Sequence, residues 1–275
     1  MAEQAPLARD RDLIDTAPRF TQADADALNA RFDGVSTAEM LKAVFADDSF
    51  GRVGLVSSFG TESAVLLHLV AQANRDAPVI FVDTLKMFAE TLEYRDTLVN
   101  LLGLTNSSVV EPLADVLAAK DEAGLRWSWD PDGCCEIRKV EPLARAKASL
   151  DVWISGRKAF QSVTRQNLPR FEVEQGKLKI NPLGDWVKAD LDAYFEEHDL
   201  PRHPLEAKGY LSVGCEPCTS TVAPGEDPRA GRWRGWNKVE CGIHAPVSAV
   251  PLNNAPAKPA DSQNDELPPG YEPVF

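Results

Sequence analysis

The sequence lacks a long apolar run. No stretch approaches the roughly 20 consecutive apolar residues that a membrane-spanning helix needs. The opening MAEQAPLARDRDLIDTAPRF mixes charges of both signs with no apolar block, which excludes a secretory signal peptide. Positive charge is also scarce. Against 42 Asp and Glu there are 29 Lys and Arg, a net charge of −13, which opposes binding to nucleic acid phosphates. There is no internal repeat and no phosphate loop of the G-x-x-x-x-G-K-[ST] spacing. Cysteines number only five in 275 residues. With 44% apolar and 26% charged residues, what remains is an ordinary globular composition. The expectation is a cytoplasmic protein with neither a nucleic acid nor a membrane as partner. Thiols stay reduced there, so clustered cysteines point to metal binding or catalysis before disulfides.

What is present is a strand–helix alternation. Residues 21–47 predict two helices, TQADADALNARF and STAEMLKAVFAD, each opened by a capping Thr or Ser. VGLVSS (53–58), PVIFVD (78–83), SSVVEP (107–112) and DVWISG (151–156) read as short strands, the Val-rich ones as buried. Helices are predicted between them over AVLLHLVAQA, about 88–102, LADVLAAK and EIRKVEPLARAKASL. In the last of these, Pro142 predicts a kink or a break. The pattern implies an α/β fold, a parallel sheet with helices on both faces. Ligands of such sheets bind beyond the carboxyl ends of the strands, where SSFGTES, DT and GRKAFQS should meet. RFEVEQGKLKINPL (170–183) predicts a hairpin and WVKADLDAYFEEHDL an amphipathic helix. Loops dominate from 201, and the end of the chain reads as a Pro-rich flexible tail.

Three stretches carry potential chemistry besides the cysteines. SSFGTES (57–63) ends a strand and opens a helix, and its small residues and Gly60 let backbone N–H groups approach an anion. A tight turn with a Ser cap reads equally well. Asp83 and Thr84 could bond a ribose or base edge, or Asp83 could cap the next segment. Arg229, Arg232 and Arg234 form a basic knot in an acidic chain, either a focused anion site or a solvated loop.

Cys134 and Cys135 are adjacent, and Cys215 and Cys218 form a C-x-x-C. Adjacent helical cysteines point roughly 100° apart, which suits separate corners of an iron–sulfur cubane better than one metal ion. A four-thiolate zinc site and a C-x-x-C redox pair are the alternatives. Cys241, in ECGIH beside the arginine knot, is left as a candidate thiolate nucleophile or an incidental surface cysteine.

Together SSFGTES, VDT, GCCEIRK, GRKAFQS, GCEPCT, PGEDPRAGRW and ECGIH resemble the assimilatory sulfonucleotide reductases. Within them the likeness is to the iron–sulfur adenylylsulfate (APS) reductases, over about residues 30–246. The resemblance implies an adenine-nucleotide α-hydrolase-like (PP-loop) fold with a flexible C-terminal segment. The chain then divides into an extension (1–20), a nucleotide- and cluster-binding domain (21–222), a mobile catalytic segment (223–246) and the Pro-rich tail (247–275), about which the resemblance says nothing. The resemblance implies one 4Fe-4S cluster on Cys134, Cys135, Cys215 and Cys218, and Cys241 as the nucleophile that attacks the sulfur of APS. AMP would leave, and thioredoxin or a glutaredoxin-like dithiol would release sulfite from a cysteine S-sulfonate. Thiolate and sulfate are both anions, so fixed positive charge is required. Lys139, Arg157, Arg229 and Arg232 are placed to supply it, with Arg165 a lesser candidate. His244 would hydrogen-bond the sulfonate, and Lys139 would bridge cluster and substrate. Ser57, Ser58, Gly60, Glu62, Asp83 and Thr84 would line the nucleotide pocket. A homo-oligomer is left open.

Three other functions compete with this one. The 3′-phosphorylated substrate (PAPS), alone or with APS, is the nearest, but only Arg52 stands close to the loop to meet an extra phosphate, and it lies at the far end of the first strand. An ATP-dependent ligase or tRNA thiolase would carry S-G-G-x-D-S, where this chain has Phe59 and Glu62. An iron–sulfur redox sensor is the non-enzymatic reading.

Overall fold

The computed structural model describes residues 18–161, 168–238 and 240–243. The expected tail, most of the N-terminal extension, and the candidates Arg165 and His244 lie outside the described residues. Among those described, no helix is long and apolar enough to cross a membrane.

Two capped helices lead in, α1 (Gln22–Arg31) and α2 (Thr37–Ala46). Thr21 and Asp24 bond reciprocally at the start of α1, and Ser36 accepts from the Glu39 N–H at the start of α2. Each satisfies backbone donors that the first turn leaves without partners. The alternation then follows as β1 (Val53–Val56), α3 (Ser63–Ala73), β2 (Val79–Val82), α4 (Ala89–Leu102), β3 (Ser107–Val110) and α5 (Ala114–Lys120). After the cysteine helix α6 (Pro131–Cys135) come α7 (Glu141–Lys147), β4 (Val152–Ser155), β5 (Phe171–Glu174), β6 (Lys177–Ile180) and α8 (Lys188–Glu197).

The strands form one six-stranded sheet in the order β3-β2-β1-β4-β6-β5. Every pairing is parallel except β5 with β6. The predicted hairpin is present, but it is not a separate unit: β6 pairs in parallel with β4 and leaves β5 as an antiparallel edge. Strand alternation assigns the two faces. Leu55, Val79, Phe81, Val152 and Ile154 enter the main core with α2, α3 and α8. Ile80 and Trp153, from the opposite face, pack with Leu150 and Ala146 at the end of α7. The chain leaves β1 toward β2 on one side and returns to β4 on the other. The β1/β4 boundary is therefore the point where strand order reverses, the place in such sheets where a crevice opens.

Pro142 neither breaks nor simply kinks its helix. Residues Glu136–Val140 form a π turn joining α6 to α7, in which the Glu141 N–H reaches the Glu136 carbonyl. Proline has no N–H to offer the carbonyl four residues back and its ring crowds that carbonyl. Widening the preceding turn relieves both, and π turns gather at functional sites.

His203 is buried behind α4. Its Nδ1 accepts from the Leu205 N–H (3.2 Å) and its Nε2 lies 3.1 Å from the Thr91 hydroxyl, a pattern that only the neutral ring satisfies. Burial pushes its pKa down to about 4. A folded-state value below the unfolded one means that the unfolded chain binds the extra proton. The contribution is therefore complete above about pH 6.5 and is lost as pH falls toward 4. Denaturant titrations at stepped pH are expected to show roughly 3 kcal/mol of stability lost over that window from this residue. His203→Gln should flatten that part of the profile.

Candidate active site

A cleft of about 290 Å³ opens beyond the carboxyl ends of β1, β2 and β4. Ser57, Ser58, Gly60 and Glu62 line it from the turn after β1, and Arg157 and Lys158 from the turn after β4. The turn into α3 is shaped by Phe59, at a φ of 49°. That region is unfavourable for a bulky residue, but its ring is fully buried edge-on to Phe81 at 5.5 Å. The Ser57 hydroxyl accepts the Phe59 N–H. Glu62 precedes α3 without capping it. Its carboxylate instead takes the Lys158 ammonium at 3.0 Å and the Gln161 amide at 2.8 Å.

Thr84 also lines the cleft, but its hydroxyl lies 3.2 Å from the Cys215 sulfur rather than being held for a ribose. Asp83 is not brought to the lining. Its carboxylate accepts the Leu85 N–H at 2.8 Å, the capping alternative, because the chain turns over at Leu85 with a φ of 58°.

Lys139, Arg229, Arg232 and Cys241 complete the cleft wall. The basic knot is divided. Arg232 is held by the Val213 carbonyl at 3.1 Å and lies over Trp233 at 4.5 Å. It packs so tightly against Gly214 that a Cβ there would run into its guanidinium. Arg229 pairs with Glu240 at 3.3 Å. Arg234 turns outward to Glu226 at 2.9 Å. Arg157 pairs with Glu172 at 2.8 Å. Among the described residues, the buried Nε atoms of Arg157 and Arg232 have no hydrogen-bond partner. Buried donors are ordinarily satisfied, so these two are suited to an acceptor brought by a ligand.

A second, smaller pocket abuts the cleft. Cys134, Cys135, Cys215 and Cys218 all line it, enclosed by Trp127, Pro131, Pro217 and Trp233. Asp130 caps the cysteine helix through the Gly133 N–H (2.8 Å) and is itself gripped by Arg126 at 2.7 Å. Gly133 has no room for a side chain against those two. Trp233, at a φ of 49°, donates its N–H to the Cys218 carbonyl and stands between the pockets. Among the described residues, no group of three or more His, Cys, Asp and Glu is disposed to hold a metal ion as it stands.

Lys139 lines both pockets. Burial acts against its charge, yet the thiols of Cys215, Cys135 and Cys241 hold its pKa above the ordinary lysine value. Three of the four pocket cysteines, Cys134, Cys135 and Cys218, are pushed up by burial, and Cys215 is not. Burial, then the neighbouring Cys215, pushes Cys134 up to about 11, and burial pushes Cys135 up to about 12. Cys215 is just as buried, but Lys139 and the Thr84 hydroxyl overcome that and hold it below the usual thiol value.

Two contributors are not evident in the sequence reading. Arg138 is buried on Asp121 (2.7 Å) and donates to the Thr84 carbonyl at 2.9 Å, fixing the turn that presents Thr84 to Cys215. From this π turn Arg138 reaches Asp121 while Lys139 reaches the cleft and the thiol pocket. Lys158 is masked in sequence by its neighbour Arg157.

Residues 52–221 match the phosphoadenosine phosphosulfate reductase domain. The chain belongs to that family. It is 45% identical over 255 residues to an adenosine 5′-phosphosulfate reductase of Mesorhizobium japonicum, covering 93% of this chain and 99% of that one. It is 41% identical over 199 residues to a phosphoadenosine 5′-phosphosulfate reductase of Gloeobacter violaceus, covering 70% and 83%. The crystal structure of phosphoadenylyl-sulfate reductase from Candida auris, a phosphate complex, superposes with a TM-score of 0.63 at 29% identity. It covers 74% of this chain and 98% of that one. The mostly parallel sheet with its crevice at β1/β4 is thus the nucleotide-binding PP-loop type of fold in this family.

Proposed function

We propose that this chain reduces adenylylsulfate to sulfite and AMP. The observation that carries the reading is that one cleft gathers the anion-cradling turn 57–63, five cationic side chains and the Cys241 thiol. The Cys241 thiolate attacks the sulfate sulfur, and the bond from that sulfur to the bridging phosphate oxygen breaks. AMP leaves with the bond's electron pair, and Cys241 becomes an S-sulfonate. A thiolate of an external dithiol such as thioredoxin then attacks Cys241 Sγ and expels sulfite. The second thiol of that dithiol resolves the mixed disulfide. The dithiol's two electrons reduce the sulfur, and Cys241 is regenerated.

The cationic wall is what such a reaction needs, since fixed charge in a water-poor cleft offsets repulsion between two anions. Lys139, Arg229 and Arg232 stand on the side of Cys241. Arg157 stands beside the nucleotide turn, with Ser57, Ser58, Gly60 and Glu62. His244 is proposed to bond the sulfonate. The segment 223–246 is proposed to be mobile and to close over the bound nucleotide.

The four pocket cysteines fit a 4Fe-4S cluster by their chemistry. They are four thiols on one enclosed pocket, with Lys139 close enough to single out one of them. Cys134, Cys135, Cys215 and Cys218 would hold the cluster, which would brace the site and set its local charge. Electrons need not pass through it, because thiol exchange accounts for the pair.

A second reading, reduction of the 3′-phosphorylated nucleotide, is favoured by the likeness to the phosphoadenosine 5′-phosphosulfate reductase of Gloeobacter violaceus. Anaerobic single turnovers without reductant separate the two, with S-sulfonate located by peptide mass spectrometry. Adduct on Cys241 from APS and little from PAPS is the expected result. Equal adduct from both would make the protein a dual reductase. No adduct from either, in protein holding iron and sulfide, would overturn the proposal.

A further inference from the structure

We infer that Asp132 is a positioning residue for Cys241, acting through Lys238. The inference rests on the reading of Cys241 as nucleophile. Asp132 lies in the first turn of α6, the short helix that carries Cys134 and Cys135. Its carboxylate takes the ammonium of Lys238. The two partners are unlike: 64% of the Asp132 side chain is exposed but only 8% of Lys238. The Lys238 ammonium also lies 5.5 Å over the Trp233 ring. A buried ammonium with no carboxylate would be strongly disfavoured, so the pair dictates where this part of the chain runs.

Its place in the chain gives the contact its consequence. Up to Trp233 the arginine segment is held by backbone bonds. Thr219 bridges Arg232, Ser220 N–H reaches the Gly231 carbonyl, and Trp233 N–H reaches the Cys218 carbonyl. Past Trp233 the path to Cys241 is tied by side chains, by Lys238 to α6 and by Glu240 to Arg229. The second tie uses a guanidinium that faces the cleft, so an arriving sulfonucleotide competes with Glu240 for it. Neither partner of the first tie lines the cleft. That tie fixes the chain three residues before Cys241 to the same helical run that carries Lys139 seven residues after Asp132. One run of chain thus sets both the ammonium that meets the substrate anion and the thiol that attacks it.

Iodoacetamide labelling of Cys241 in the full chain, read by peptide mass spectrometry, tests this alongside kcat and KM for APS. In Asp132→Asn, labelling of Cys241 is expected to rise about fivefold and kcat to fall by a similar factor. KM should move less than about twofold, because the anion-binding side chains are unaltered. Lys238→Asp should behave likewise, and the exchanged pair Asp132→Lys with Lys238→Asp should recover most of both losses. Asp132→Glu keeps the charge, should stay near the parent, and supplies the comparison if the neutral variant folds poorly. Parent-like labelling and kcat in Asp132→Asn would overturn the inference, as would an exchanged pair no better than either single change. If the parent protein forms no APS-derived adduct on Cys241, the nucleophile reading fails, and the labelling still reports whether Asp132 governs the placement of that thiol.

Discussion

Cys241→Ser is expected to bind AMP as the parent does yet to form no S-sulfonate and release no sulfite. The loss should be at least about 10³-fold, the scale on which removal of a nucleophile acts. Serine is close to cysteine in size, so the cleft keeps its lining and the Arg229–Glu240 pair. It differs in that its hydroxyl is not ionised near neutral pH and it is a poorer nucleophile toward sulfur. Single-turnover sulfonation with mass-spectrometric mapping, with AMP affinity measured separately, resolves chemistry from binding. Sulfonate appearing on Cys134, Cys135, Cys215 or Cys218 in this variant would move the nucleophile into the neighbouring pocket. Weakened AMP binding with normal residual chemistry would make Cys241 a structural residue.

Lys139→Ala is expected to lower the sulfonation rate by about 10²–10³-fold. Lys139 is the side chain shared by the cleft and the thiol pocket, and three sulfurs raise its pKa against the cost of burial. Removing it takes away a half-buried cation shared by the cleft and the thiol pocket, so both substrate anion and thiol are affected. The effect is expected mainly in kcat if Lys139 acts on charge that develops during transfer, and in KM if it serves ground-state binding. Iron and sulfide content must be matched to the parent. Undiminished sulfonation in a matched sample would mean that the thiol pocket and the cleft are not coupled through Lys139.

Much of this molecule is legible in one dimension. The runs VGLV, VIFV and VWIS are short, apolar and bounded by polar turns, and strands with both faces covered must read that way. Thr21 and Ser36 announce their helices because capping is local chemistry. Two clustered cysteine pairs in so cysteine-poor a chain identify themselves by spacing. Other features resist such a reading for stated reasons. The hairpin 171–180 is visible as two strands, but its pairing with β4 depends on a partner some twenty-five residues away. Asp83 and Thr84 are neighbours with similar chemistry, and only the turn at Leu85 sends one to a cap and the other to a sulfur. The knot of Arg229, Arg232 and Arg234 looks uniform until Gly214 admits one arginine and Glu226 draws another away.

The sequence by itself determined the layer architecture, the turns that end β1 and β4, and the residues with the chemistry for anions and thiols. Those follow from periodicity, composition and short-range spacing. Only the tertiary structure decided which of those residues share a cleft. It buried Arg138 on Asp121, turned Lys139 toward both pockets, paired Glu62 with Lys158, and tied Lys238 to the cysteine helix. Each of these depends on elements distant in the chain, or on a π turn forced by Pro142. The energy of a charge depends on what surrounds it once it is buried, and that surrounding exists only after the sheet has brought the ends of β1, β2 and β4 together.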